Sequence, residues 1–338
     1  MILPILIKQA QAPSIFGLVD PNAREMPNMQ TLYVDNHVLA HEDNLPMLAN
    51  LCAPNTGLRL VVSQWLLVEI ANFGDKIGAI KRCEFLDSLK PLWMIERMHI
   101  QRHEVRRFLW INYFKSDAEP FSAFSEYLSV ILSYDQGSSV PLGYTARKWL
   151  EDTCVTDVNE EKKRVVFALK TLQGADPKKK KSIEVDIFQE WVLHKIPEYD
   201  PEGRPMAKAA RQELLGFCYA NQKDFYSMCP AMALEDRLCE VRARDPNRVP
   251  KESDAIDLQH AVAALSYCDF FITGDRCALF NIEQVARELK SIKTAKTFKT
   301  LQALAASLLG LDMEGLTGGE VVNLRPASAC ALPVLARP

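Results

Sequence analysis

The chain has 338 residues, 48% hydrophobic and 25% charged, which suits a globular fold with a sizeable core and excludes a fibrous or disordered polymer. Its formal net charge of −3 excludes duplex-DNA binding through a global basic field, so any nucleic-acid contact has to come from local basic patches. Nine cysteines with no CxxC pair argue against a zinc ribbon or a disulfide framework, and free thiols fit a reducing compartment. The run Met1–Ile7 is apolar but short, interrupted by Pro4 and without a basic lead, so it makes a poor signal peptide. No run approaches the length needed to span a bilayer. The expectation is a cytoplasmic protein with no membrane partner.

In chain order, residues 1–28, with Pro4, Pro13, Pro21 and Pro27, read as an irregular lead-in. Thr31-Leu-Tyr-Val-Asp35 reads as a first strand, followed by a helix from Asn36 to about Leu51. Gly57 introduces a second strand, Leu58–Val62, and Ser63 is placed to cap a helix running past Phe73. Strands alternating with helices predict βα units and a parallel sheet. From about Ile100 to Arg244 helical periodicity dominates, in segments near 100–115, 121–134, 159–173, 182–195 and 206–243, with no strand among them. After the loop Asp245–Pro250 the α/β pattern returns: a helix at Ser253–Tyr267, an apolar strand at Phe270–Thr273 ended by Gly274-Asp275, and a helix at Asn281–Lys290. The tail from Gly318 reads as loosely ordered. The expected organisation is the first half of an α/β core over 29–105, a large all-helical insertion or second lobe over 106–249, the second half of the core over 250–295, and a C-terminal helix and tail over 296–338.

Four acids stand where folding alone would not put them. Asp35 and Asp275 each end an apolar strand, and the carboxyl ends of parallel strands are where open sheets bind ligands. Glu69 falls on the apolar stripe Leu66, Ile70, Phe73, Ile77 of its helix, and Asp257 lies one turn before Ala261 on the stripe continued by Ala264, Leu265 and Cys268. A lone carboxylate on a buried stripe is costly, and a metal cation is one way to offset it. Each acid also has a plainer reading. Asp35 could cap the next helix, Glu69 could pair with a buried Arg, Asp254 and Asp257 could serve as helix N-cap and first-turn acid, and Asp275 could be a turn residue. Four such coincidences in two βα units are much less probable than any one of them.

Tyr33-Val-Asp35 followed by a helix, Glu69 inside a helix after a strand, and Asp257-Leu-Gln-His-Ala-Val-Ala-Ala264 followed by Phe271-Ile-Thr-Gly-Asp275 together resemble a PIN domain. The match covers roughly residues 29–105 and 250–292, and the closing segment is its specific part. The chain departs from the family in the long helical region between the halves, where compact PIN domains have far less. The resemblance implies a PIN-like parallel sheet flanked by helices and an endonuclease, usually on RNA, using Mg²⁺ or Mn²⁺. It makes Asp35, Glu69, Asp257 and Asp275 the acidic quartet and Thr273 the hydroxyl that orients the last acid. Asp254, one turn before Asp257, and Glu104 are additional candidates. Phosphodiester hydrolysis needs an in-line water and charge relief on the phosphate, which hard divalent cations on carboxylate oxygens supply.

The pairs His37/His41 and His99/His103 have i, i+4 metal spacing but no third ligand, so ordinary packed or surface histidines are expected, and His260 reads as a packing residue. Glu104 reads as a surface acid near Arg102 and Arg107. Arg102, Arg106 and Arg107 form one basic segment and Arg242, Arg244, Arg248 and Lys251 a second; both flank the site in sequence and are candidate phosphate contacts, with a solvated face as the alternative. The lysine run Lys178–Lys181 reads as a solvated loop. A haloacid-dehalogenase type of phosphotransferase needs an acid two residues after Asp35, where His37 stands, and a dinucleotide fold needs a glycine-rich turn that is absent. The remaining alternative is a catalytically silent PIN-like scaffold binding nucleic acid or protein, with the helical lobe as partner surface. RNA against DNA, toxin against processing enzyme, and oligomeric state stay open.

Overall fold

A computed structural model of the chain describes residues 29–310, apart from 73–74, 119, 137–139, 153–158, 175–184, 187, 245–248 and 250–252. The chain enters through β1 (Gln30–Val34), whose run Thr31–Val34 is buried on both faces, as expected of a central strand. Then follow α1 (Asn36–Ala40), α2 (Asn44–Leu51), β2 (Leu58–Ser63), α3 (Gln64–Asn72), α4 (Lys76–Ser88), β3 (Leu92–Met94) and α5 (Arg97–Asn112). β4 (Phe124–Ser125) precedes α6 (Leu128–Gln136), α7 (Ala146–Asp152), α8 (Asn159–Gln173) and a helical stretch over 188–193, α9. The remainder is α10 (Lys208–Ala220), α11 (Gln222–Met228), α12 (Pro230–Ala243), α13 (Ser253–Tyr267), β5 (Phe270–Ile272), α14 (Arg276–Glu288), β6 (Lys296–Phe298) and α15 (Leu301–Leu308).

The fold is α/β. Its six strands form one mixed, mostly parallel sheet in the order β4-β3-β2-β1-β5-β6, with β4 antiparallel to β3. β1 pairs with β2 on one side, Tyr33 opposite Val61, and with β5 on the other, Val34 opposite Ile272. From β1 the chain builds outward through β2 and β3, then returns to β1's other side for β5. The strand order therefore reverses beside β1, and the carboxyl ends of β1 and β5 border the crevice where doubly wound sheets take ligands.

Several expectations need correction. The sheet is not purely parallel, and β4 falls in the stretch expected to be all helical. β3, β4 and β6 have three, two and three residues, too short to show an alternating pattern. The helix expected over 36–51 is two helices, because Pro46 lacks the N–H that a continuous helix would need there but is tolerated in the first turn of α2. Asn44 Nδ2 donates to Val38 O at 3.0 Å across that break. The helix after Ser63 ends at Asn72, and Asp75 caps a new one through Ile77 N at 3.1 Å. Ile77 is 69% exposed and so leaves the stripe assigned to it; Phe73 lies outside the described residues.

Two apolar cores are present. The larger joins the sheet to α3, α4, α13 and the α6–α8 region. The second is built from Val105, Phe108 and Leu109 of α5 with Phe188, Val192, Leu214, Leu215, Phe225 and Met232. Between α5, α12 and α13 runs a buried polar seam. Arg97, Gln101 and Glu104, at i, i+4 and i+7, share one face of α5. Arg97 pairs with Glu235 and donates from Nε to Gln259 Oε1 at 2.7 Å, while Gln101 donates to Glu235.

Glu104 is 4% exposed, not a surface acid. Its two oxygens accept from Ala231 N at 2.9 Å and Met232 N at 3.2 Å, capping the first turn of α12, and Tyr267 Oη donates to it at 2.7 Å. Burial pushes its carboxyl up from 4.5 to about 7, against the opposing pull of those donors and of Lys195. The native state thus holds a proton that the unfolded chain has already lost. Through this group stability falls as pH rises from about 4.5 to about 7, by on the order of 3 kcal/mol. Urea unfolding at pH 5 and pH 8 is expected to show that loss in the native sequence and not in Glu104→Gln; equal slopes in both would refute it.

Among the described residues no helix is long and apolar enough to cross a membrane. Seven described cysteines are free thiols, with Cys277 exposed.

Candidate functional site at the carboxyl ends of β1 and β5

Asp35 follows β1 directly and Thr273 follows β5 directly, and the pairing of these strands brings them together. Asp35 N donates to Ile272 O at 3.0 Å, and Thr273 Oγ1, fully buried, donates to Asp35 Oδ2 at 2.7 Å. The same hydroxyl accepts from Asp275 N at 3.2 Å. Thr273 therefore ties the two strand-end acids into one unit. It orients Asp35 through its hydroxyl, whereas the resemblance had it orienting Asp275, which it touches only through the backbone.

Both acids also cap helices, so the plain and the functional readings coexist. Asp35 Oδ1 accepts from His37 N at 2.9 Å at the start of α1. Asp275 Oδ1 accepts from Cys277 N at 2.6 Å and Ala278 N at 3.1 Å at the start of α14. Asp35 is half-buried and Asp275 is exposed. Gly274 lies under the His37 ring: a Cβ there would sit 2.4 Å from His37 Cδ2. Gly274→Ala is therefore expected to push His37 aside at a cost of about 1 kcal/mol, and that cost should vanish in a His37→Ala background. A double-mutant cycle by thermal unfolding checks it, and strictly additive effects would rule the contact out as the cause.

Glu69 reaches the site from α3. Its Oε2 lies 3.1 Å from His260 Nε2 on α13, a helix that packs against α3. His260 Nδ1 is hydrogen-bonded to the Tyr33 hydroxyl, which in turn bonds Ser63 Oγ at 2.7 Å. The charges of Glu69 and Asp35 both bear on the Tyr33 phenol. Burial first, then those charges, push its pKa well above the ordinary value despite the opposing Ser63 hydrogen bond. His260 is thus not the plain packing residue expected from sequence. Tyr33 is also flanked by Phe271 on β5, ring centroids 5.7 Å apart, so its ring spans the two elements that end in Asp35 and Thr273.

Asp257 lies on α13 at i−3 from His260, one turn toward the helix start; its side chain and that of Asp254 lie outside the described residues, as do Arg248 and Lys251. Glu104 does not join the site. It bonds Tyr267, ten residues and roughly 15 Å along α13 from Asp257, toward the opposite edge of the sheet. Arg102 is exposed on α5 and Arg106 lies over the Trp110 ring at 4.9 Å. Arg242 is buried, and Arg244 pairs with Glu288 at 2.6 Å and Glu240 at 3.0 Å, so these two do not form the basic patch expected of them. The His37 and His41 rings meet edge to face at 4.7 Å, and His103 stacks on Phe121 at 4.4 Å, its pKa lowered by burial to about 4.

Among the described residues no group of three or more His, Cys, Asp and Glu side chains is gathered to hold a metal. Taken singly, the carboxylates of Asp35, Asp275 and Glu69 and the Asn36 Oδ1, buried without a hydrogen-bond partner among the described residues, are oxygen donors of the type a hard cation takes. No protein-family model, no curated protein and no solved structure matches the chain.

Proposed function

We propose that this protein is a PIN-like, divalent-metal-dependent endonuclease that hydrolyses phosphodiester bonds, with RNA as the substrate the resemblance implies. The observation that carries the reading is the Thr273 hydroxyl, which holds Asp35 and the Asp275 backbone together at the point where the strand order reverses. Glu69 and Asp257 stand on the two helices that pack against each other beside that point.

In this reading Asp35, Glu69, Asp257 and Asp275 hold Mg²⁺ or Mn²⁺. When bound, such a cation relieves charge on the phosphate and lowers the pKa of a water. The chain's own part is to present hard oxygens in a fixed arrangement. The α1 and α14 N-termini each take one oxygen, Asp35 Oδ1 and Asp275 Oδ1. Thr273 fixes the second oxygen of Asp35, and His260 Nε2 stands 3.1 Å from Glu69 Oε2.

The Glu69–His260 contact also supports the second reading, a silent scaffold in which that acid has a protein partner in place of a metal. Labelled single-stranded RNA, structured RNA and single-stranded DNA incubated with Mn²⁺, Mg²⁺ or EDTA separate the two. The nuclease reading expects cleavage in Mn²⁺ or Mg²⁺ that EDTA abolishes. Cleavage that survives both Asp35→Asn and Asp275→Asn would refute this site, and binding without cleavage of any of the three would favour the scaffold.

A further inference from the structure

We propose that Ser63, Tyr33 and His260 form a directed hydrogen-bond relay that positions Glu69, with His260 held in the tautomer that donates from Nε2. This rests on the reading of Glu69 as a metal ligand.

The direction is set by the carboxylate at the far end, which can only accept. Ser63 Oγ accepts from Leu66 N at 3.2 Å, where it caps α3, and so has its own proton to give to the Tyr33 oxygen 2.7 Å away. Tyr33 is fully buried, so its phenol is neutral and has one proton to give. Having accepted from Ser63, it donates that proton to His260 Nδ1. A neutral imidazole accepting at Nδ1 carries its proton at Nε2, which lies 3.1 Å from Glu69 Oε2, a close contact without hydrogen-bond alignment in this structure. A carboxylate only accepts, so the relay ends where the chemistry requires. Run in the other direction, it would set an Nε2 lone pair against the carboxylate.

The relay joins the elements that carry the acids. Tyr33 stands two residues before Asp35 on the same face of β1, Ser63 ends β2, Glu69 is on α3, and His260 is one turn after Asp257 on α13. His260 is 5% exposed and Ser63 6%, so water does not compete for these bonds. Hydrogen-bonded partners of this kind orient metal ligands, and their loss typically costs about 10- to 100-fold in metal affinity. His260 is in this account a positioning residue, acting through Glu69.

The test uses the full chain. Long-range ¹⁵N–¹H correlation on ¹⁵N-labelled protein, with His260→Gln to assign the signal among the six histidines, is expected to show the Nε2–H tautomer. An Nδ1–H tautomer or a doubly protonated ring would overturn the relay. Mn²⁺ titrations by electron paramagnetic resonance then compare the native chain with Tyr33→Phe, His260→Ala, His260→Gln and Glu69→Gln. Tyr33→Phe and His260→Ala are expected to weaken Mn²⁺ binding roughly 10- to 100-fold, with cleavage recovering at saturating Mn²⁺. His260→Gln, whose amide can donate in place of Nε2, is expected to recover most of the affinity. Should His260→Ala fail to fold, the near-isosteric Tyr33→Phe carries the comparison. If these variants bind Mn²⁺ as the native chain does while Glu69→Gln is weakened, the relay is refuted and the metal reading stands. If the native chain binds no Mn²⁺, the metal reading falls and takes the relay with it.

Discussion

Asp35→Asn is expected to lower Mn²⁺-dependent cleavage of single-stranded RNA by on the order of 10²- to 10³-fold while the protein unfolds at nearly the native temperature. The separation of the two effects comes from the local geometry. Asparagine keeps an oxygen to accept from His37 N, so the α1 cap survives, and its amide can face the Thr273 hydroxyl, which accepts as readily as it donates. Only the charge is lost. Asp275→Asn should behave alike, because one oxygen suffices for Cys277 N and Ala278 N. Thr273→Val removes the donor to Asp35 Oδ2 and is expected to cost about tenfold in activity. Full activity in Asp35→Asn would mean that the cleaving site lies elsewhere.

Glu235→Ala is expected to destabilise the fold by about 3–5 kcal/mol, a fall of roughly 4–7 °C in Tm. Arg97 is 4% exposed, and Glu235 is its buried counter-charge. Removing the acid leaves a guanidinium in the core and leaves Gln101 without its carboxylate partner. The effect belongs to the lost buried counter-charge and not to the bond itself. The double variant Arg97→Met with Glu235→Leu should therefore recover most of the loss, since apolar residues of similar volume replace a buried pair at little net cost. Urea unfolding of the three variants decides this; a double variant as unstable as Glu235→Ala would assign the cost to packing.

The same seam shows why part of the fold escapes a reading of the sequence. Arg97, Gln101 and Glu104 at helical spacing look like a solvated face. Only the approach of α12 and α13, more than a hundred residues downstream, makes them interior. Strands β1, β2 and β5 and helix α13 were legible because apolar runs are bounded there by Gly57, Ser63 and Gly274-Asp275 and by the change of period at Ser253. β3, β4 and β6 were not, because two or three residues carry no period and their pairing is fixed by neighbours already in the sheet. In the site, Asp35 and Asp275 were visible as acids ending apolar strands, and Thr273 only through the resemblance. The partner of Glu69 was not: His260 sits on an Ala-rich apolar stripe, and its hydrogen bond to Tyr33 and its contact with Glu69 depend on the crossing of α3 and α13.

The most direct test of the central claim is thermal unfolding across a Mn²⁺ titration. At a hundredfold excess over the dissociation constant the native chain should gain about 2.7 kcal/mol, a rise of roughly 4 °C in Tm, with Asp35→Asn and Asp275→Asn gaining little. A native Tm that stays flat through millimolar Mn²⁺ would contradict a metal site at Asp35 and Asp275.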